Sequence, residues 1–163
     1  MTQYQYKLST AIGDAIPDPF SESSTQLFPL GSKLEYGDRK FRYAQIDSAV
    51  TSAGLTLENK LAIANHRDLV VAAASAGAKS ITVTLGAAAA TLDYYNEGYI
   101  HINDVAGQGQ LLRIKDHPAA DSGATLVLTL YDPLKTAITT SSKADLISSN
   151  YKSINTAIAS HVG

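Results

Sequence analysis

Ser80-Ile81-Thr82-Val83-Thr84-Leu85-Gly86 is the stretch whose reading decides the fold class. Ile81, Val83 and Leu85 fall on one side of an extended backbone, and Thr82 and Thr84 fall on the other. That period of two is the mark of a strand with one buried face. Val, Ile and Thr are stiff at χ1 and fit the pleated surface well. Downstream, Thr125 to Tyr131 is a further strand, ended by Asp132-Pro133. Tyr99 to Val105 puts Ile100 and Ile102 on one face, with Tyr99, His101 and Asn103 on the other. Gln110 to Lys115 follows the glycine turn Gly107-Gln108-Gly109 as the second arm of a hairpin. Upstream, Lys33 to Tyr36 and Arg39 to Gln45 flank Gly37-Asp38, a two-residue gap of hairpin type. In the second of these runs Phe41 and Tyr43 share a face. Strands punctuated by turns at such intervals predict a mainly β fold: an antiparallel sandwich or small barrel, with little helix and an extended N-terminal arm.

Helix is a minority expectation. Asp47 to Ala53 has room for a brief turn. Ala87 to Tyr95 is alanine-rich and Gly98 would stop it. Asn150 would cap a short helix carrying Ile154, Ala157 and Ile158 on one stripe.

The composition divides the chain into an arm at 1–30, a β-rich core at 31–134 and a tail at 135–163. The arm holds three of the five prolines, Pro17, Pro19 and Pro29, and the polar run from Ser21 to Gln26. Proline disfavours helix at and before its own position. Yet the arm also scatters apolar groups: Tyr4, Tyr6, Leu8, Ile12, Ile16, Phe20, Leu27 and Phe28. These are many for a free tail, so the arm is expected to lie on something, and the eight are the candidate contact residues for a partner.

A chain of 163 residues with no cysteine folds without disulfides and has no thiolate chemistry. Its formal net charge of −2, with 17% charged residues, argues against general nucleic-acid binding, which needs a basic face. The start of the chain lacks the basic and apolar regions of a secretory signal, and no apolar run reaches the length of a membrane span. Synthesis and folding in the cytoplasm are expected.

Motifs that carry chemistry are weak. Gly107-Gln108-Gly109-Gln110 lacks the third glycine of a dinucleotide loop and lies between two strands, so a plain turn is the expectation. His66, His101, His117 and His161 have no zinc-like spacing. His101 is expected to face solvent, and His117, before Pro118, to sit in a turn. His66-Arg67-Asp68 resembles part of a kinase catalytic loop but lacks its downstream asparagine and metal motif. Asp93, Glu97, Asp104, Asp116, Asp121 and Asp132 all sit near predicted turns, where acidic side chains bond nearby N–H groups. No Gly-x-Ser-x-Gly elbow is present. No catalytic, cofactor-binding or metal-binding residues are therefore assigned. Tyr94, Tyr95 and Tyr99 form either a packing corner or, if exposed, a binding patch, with packing favoured.

Four segments carry a family resemblance: Leu30-Gly31-Ser32-Lys33 with Gly37 to Tyr43; Gly77 with Ser80 to Gly86; Tyr95-Asn96-Glu97-Gly98-Tyr99-Ile100 with Asn103-Asp104, Gly107 to Gln110 and Arg113-Ile114-Lys115; and Leu128-Thr129-Leu130-Tyr131-Asp132-Pro133-Leu134. In this order and spacing the chain resembles tailed-bacteriophage virion proteins that decorate or cement the capsid. Proteins of that kind tend to carry another β-rich part after the Asp-Pro-Leu segment, whereas this sequence runs on to Gly163 with a helix-like tail. The resemblance implies no catalytic residues. It implies a place on the capsid exterior and the major capsid protein as partner. A homo-oligomer, with a trimer favoured, is expected alongside it, and no membrane or nucleic-acid partner. Two other classes fit the residues: a carbohydrate- or host-binding β domain such as a head fibre or adhesin module, and, last, a small hydrolase with scattered carboxylates.

Overall fold

The computed structural model describes residues 7–8, 19, 22–46 and 57–156. The strands are β1 (Lys7–Leu8), β2 (Lys33–Tyr36), β3 (Arg39–Arg42), β4 (Leu57–Glu58), β5 (Leu69–Val71), β6 (Ser80–Thr84), β7 (Tyr99–Asp104), β8 (Leu111–Asp116), β9 (Thr125–Leu130), β10 (Lys143–Ile147) and β11 (Asn155–Thr156). Among the described residues the only helix is the single 3-10 turn Ala64–His66. No helix there is long and apolar enough to cross a membrane. The fold is mainly β, as the alternation predicts.

The chain forms two compact units, Leu61–Ser149 and Met1–Lys60 together with Asn150–Gly163. The first is a closed barrel in the order β10-β5-β6-β9-β8-β7, with β7 returning to β10. Every neighbouring pair is antiparallel. Inward positions of each strand take apolar residues: Leu69 and Val71, Ile81 and Val83, Ile100 and Ile102, Leu112 and Ile114, Leu126, Leu128 and Leu130, Ala144 and Leu146. Each large aliphatic side chain so buried contributes about 1.5–3 kcal/mol. Register shifts at Ile114/Asp116 and at Lys143/Ala144 mark bulges, which bend strands and help a small sheet close on itself.

The barrel reaches past the core range expected from composition, because β10 comes from residues assigned to the tail. The β2–β3 hairpin, assigned to the core, belongs instead to the other unit. In that unit β1, β2 and β3 form one sheet, and β4 pairs with β11. Lys33 and Glu35 form an ion pair along β2.

The helix expected at 87–95 does not form, and the described part of the second, residues 150–156, is not helical. Residues 87–95 make bends and turns, because they serve as a crossover from β6 to β7, which are not neighbours in the barrel. Ala90 exchanges both backbone bonds with Ala120, each 2.9 Å, and Asp93 and Glu97 sit at φ 59° and 62°, outside helical space. Alanine's helix preference, a few tenths of a kcal/mol per residue, loses to bonds that the barrel supplies. At the second site, Gln45 donates to the Tyr151 carbonyl, Ile154 donates back to Gln45, and Ser153 sits at φ 52°. Ile154 then bridges Ile46 and the chain enters β11. Ala157, Ile158 and the turn expected at Asp47 to Ala53 lie outside the described residues.

The crossover is anchored by Tyr95, 1% exposed. Its hydroxyl bonds His66 Nδ1 at 2.5 Å and its backbone N–H donates to His117 Nε2 at 2.8 Å. His66 Nε2 also reaches the Ala88 carbonyl at 2.9 Å. The histidines read from sequence as loop and turn residues are thus fully buried, because each binds this one segment. Their signal was absent locally, since the bonded partners lie 22 to 29 residues away.

Two stability predictions follow from this closure. A Cβ at Gly98 would fall 2.2 Å from the Ile147 carbonyl oxygen and 3.0 Å from that of Tyr95, both backbone atoms. Gly98→Ala is expected to cost about 1–3 kcal/mol or more, seen as a lower urea midpoint at unchanged slope. Gly123→Ala, with open space but φ +73°, should cost on the order of only 1 kcal/mol. The second concerns alkali. Burial, with the neighbouring Tyr94 as a lesser cause, pushes the Tyr95 hydroxyl well above the ordinary tyrosine range. The unfolded chain ionises near pH 10, so this contribution to stability is complete below that pH and is lost as pH rises beyond it. Tyrosinate absorbance for Tyr95 should therefore appear only together with loss of the β signal in circular dichroism. Tyr95→Phe should remove that coupled step, while leaving His66 Nδ1 unpaired at a cost of about 1–3 kcal/mol at neutral pH.

Candidate functional site

The residues singled out for chemistry are mostly occupied with the fold. In the glycine loop Gly107 and Gly109 have φ +79° and +85°, the geometry of a turn. Gln110 staples that loop: its Oε1 accepts from the N–H groups of Lys135 and Thr136 at 2.8 and 3.1 Å, and its Nε2 donates to the carbonyls of Gly107 and Thr136. Asp104 Oδ1 accepts the Val105 N–H at 2.8 Å, the local turn bond expected of it. Asp68, of the kinase-like triplet, gives its N–H to Asp145 Oδ1 at 2.8 Å, and Asn103 Nδ2 reaches the same oxygen at 3.1 Å. His101 is half-exposed, with Nδ1 3.7 Å from Asp145 Oδ2. Among the described residues no group of three or more His, Cys, Asp or Glu is placed to hold a metal ion. His161 lies outside them.

The tyrosine trio divides. Tyr95 is core. Tyr94 packs edge-on against it at 4.8 Å between ring centres, and burial raises the Tyr94 hydroxyl pKa. Tyr99 alone stays exposed, at 39%.

Tyr99 belongs to a row that no local motif announces. It stands opposite Ile147 of β10 on one side and Arg113 of β8 on the other. Arg113 in turn accepts, through its carbonyl, the N–H of Tyr131 at 3.0 Å, just beyond β9. The outward alternation of each strand sends all four side chains to the outside of the barrel. Ile147, Tyr99 and Tyr131 are each about two-fifths exposed (40%, 39% and 43%). The Arg113 guanidinium lies over the Tyr131 ring, 5.1 Å from its centre, and 3.9 Å from Glu97 Oε2. A cation held over an aromatic face is worth about 0.5–1 kcal/mol at an exposed site, enough to order the side chain. The next row holds Asp145, His101 and Leu111, the last 55% exposed.

The strip therefore joins two tyrosines, an oriented arginine and two aliphatic residues over adjoining strands about 4.8 Å apart. Tyr and Arg are among the residue types that most often anchor protein contacts: Tyr buries much area at little cost in side-chain freedom, and Arg offers a planar charge that stacks and pairs with carboxylates. Chemically the strip can stack, accept apolar contact and engage a carboxylate; nothing in it activates a nucleophile or a water.

Of the arm candidates, Leu27 is 60% exposed, while its N–H donates to the Tyr43 hydroxyl at 3.0 Å. Phe28 meets the Tyr43 ring edge-on at 5.5 Å. Leu8 lies in β1, its backbone paired with Leu34. Tyr4, Tyr6, Ile12, Ile16 and Phe20 lie outside the described residues. No protein-family model matches the chain, no curated protein matches it, and no solved structure matches it.

Proposed function

We propose that the chain is a virion structural protein that binds the outer surface of a bacteriophage capsid and decorates or stabilises it. The exposed Ile147–Tyr99–Arg113–Tyr131 strip is the observation that carries the reading: a closed barrel presents anchor residues on its outside while His66 and His117 are spent inside. The four segments that resemble decoration proteins supply the partner, the major capsid protein. Residues of the arm, Leu27 foremost among the described ones, add a second contact. Two modest contacts on one chain reinforce each other through effective concentration, and a symmetric assembly, a trimer in this reading, multiplies them again.

A carbohydrate- or host-binding domain is the second reading, favoured by the exposed Tyr99 and Tyr131. It loses Tyr95 to the core, Tyr94 is half-buried against it, and Gln110 ties the loop from Asp104 to Gln110 to Lys135 and Thr136.

Purified protein mixed with phage heads that lack it is expected to co-sediment at a fixed, saturable ratio to the capsid protein. Replacing both Tyr99 and Arg113 by Ala should weaken that binding by about 30-fold or more, the loss of one strong anchor at ~2 kcal/mol, with the barrel still folded. Deleting residues 2–30 removes β1 and Leu27 but none of the barrel strands; it should abolish attachment and leave the barrel's thermal transition in place. Failure of the full chain to bind heads, with binding on a glycan array, would transfer the strip to the second reading.

A further inference from the structure

We propose that the two buried imidazoles form an acid-released clasp on the crossover between β6 and β7. Both grip the same segment from different parts of the barrel unit. His66 comes from the 3-10 turn before β5 and holds Ala88 and Tyr95; His117 follows β8 and holds Tyr95.

The four ring nitrogens differ in what they tolerate. At His117, Nδ1 lies 2.7 Å from the Pro118 carbonyl, which only accepts, so Nδ1 carries the hydrogen. Nε2 then accepts the backbone N–H of Tyr95. A second proton on the ring would sit on Nε2 and set N–H against N–H. The amide cannot reverse its polarity, so the bond is lost and a charged ring is left buried. His66 is more forgiving. Its Nε2 donates to the Ala88 carbonyl, and Nδ1 faces the Tyr95 hydroxyl, which turns to accept if the ring is charged. His117 is the sensing ring, and His66 is the grip that holds until the segment moves.

Three further backbone ties of the crossover fall on the stretch around His117. Glu97 donates to the Ile114 carbonyl at 2.9 Å, Asp93 donates to the His117 carbonyl at 3.3 Å, and Ala90 and Ala120 form their mutual pair. Displacing the His117 ring therefore loosens the centre of this set.

The titratable groups on the elements around the rings are Tyr94 and Tyr95, which stay neutral, Asp93 and Glu97 of the crossover, Lys115 and Asp116 before His117, Arg113, which lies near Glu97, and Arg67 and Asp68 after His66. Negative charge beside a charged ring favours it and so opposes release, but it gives the Tyr95 N–H no acceptor in place of Nε2. The sign is set by geometry. The closed segment accepts only the neutral His117 ring, whereas the open segment leaves it free to protonate at roughly the ordinary value of 6.5. The open form binds more protons, so closure is complete above that pH and is lost as pH falls through it.

Hydrogen exchange of the full chain, corrected for the intrinsic pH dependence of exchange, tests this between pH 8 and 4.5. The protection of residues 86–98 should fall about tenfold per pH unit below roughly pH 6, the slope of one linked proton, while β6 and β9 keep theirs. His117→Gln offers Oε1 as acceptor to the Tyr95 N–H and has no proton to gain, so its crossover protection should stay level over the same range. Protection of 86–98 that is level in the wild type, or falls equally in His117→Gln, overturns the proposal. If the variant does not fold, ring-nitrogen NMR of the wild type decides: His117 taking up a proton in step with the loss of protection sustains the clasp, and either event without the other ends it.

Discussion

Everything in the larger unit depends on β10 pairing with β7 on one side and β5 on the other. Without that double pairing the six strands are an open sheet with two bare edges, and rows of unpaired N–H and C=O groups invite association with other chains. With it, every strand has two neighbours and the inward aliphatic residues meet around a common axis. The closing strand has an unassuming composition. Its inward positions are Ala144 and Leu146, and Ala144 is wholly buried beside a bulge. A small residue there lets the backbone turn inward at the point where the register shifts.

That composition explains what could be read beforehand. β6, β7, β8 and β9 were legible because their inward positions carry Ile, Val or Leu and most of their outward ones are polar, although Leu111 and Val127 stand outward and blur the period in β8 and β9. β5 is too short, at three residues, to show a period, and β10 hides its inward face behind Ala144. The alanine-rich stretch at 87–95 looked helical because propensity is local, whereas the bonds that hold it come from Ala120 and His117. The contact strip was unreadable for the same reason. Residues 99, 113, 131 and 147 are far apart in sequence, and only antiparallel register sets them side by side. Of the trio of tyrosines, burial versus exposure followed from side-chain direction at the entry to β7, which spacing alone leaves open.

Polar chemistry in this barrel is directed inward. Two histidines and a tyrosine, groups that elsewhere do acid–base work, satisfy one another and a strap of backbone. Outside, the polar residues near the strip hold loops and strand ends in place, as Asp145 does for Asp68 and Asn103. A molecule organised in this way offers a shaped and ordered exterior.

The smaller unit is made from two separated pieces of chain, with the whole barrel between them. Among the described residues β4 pairs with β11, Gln45 bonds Tyr151 and Ile154, and Ile46 bridges Ile154. During synthesis these partners emerge from the ribosome after the last barrel strand. The early segment must wait, incomplete, while some ninety residues are made (Leu61–Ser149). Domains tend to fold as units as they emerge, so the order of birth is reversed in the order of completion: the barrel is finished first, and the N-terminal strands are locked afterwards. A chain arrested before residue 150 would thus carry a finished barrel and an unfinished N-terminal sheet, and quality control would meet that state on every round of translation.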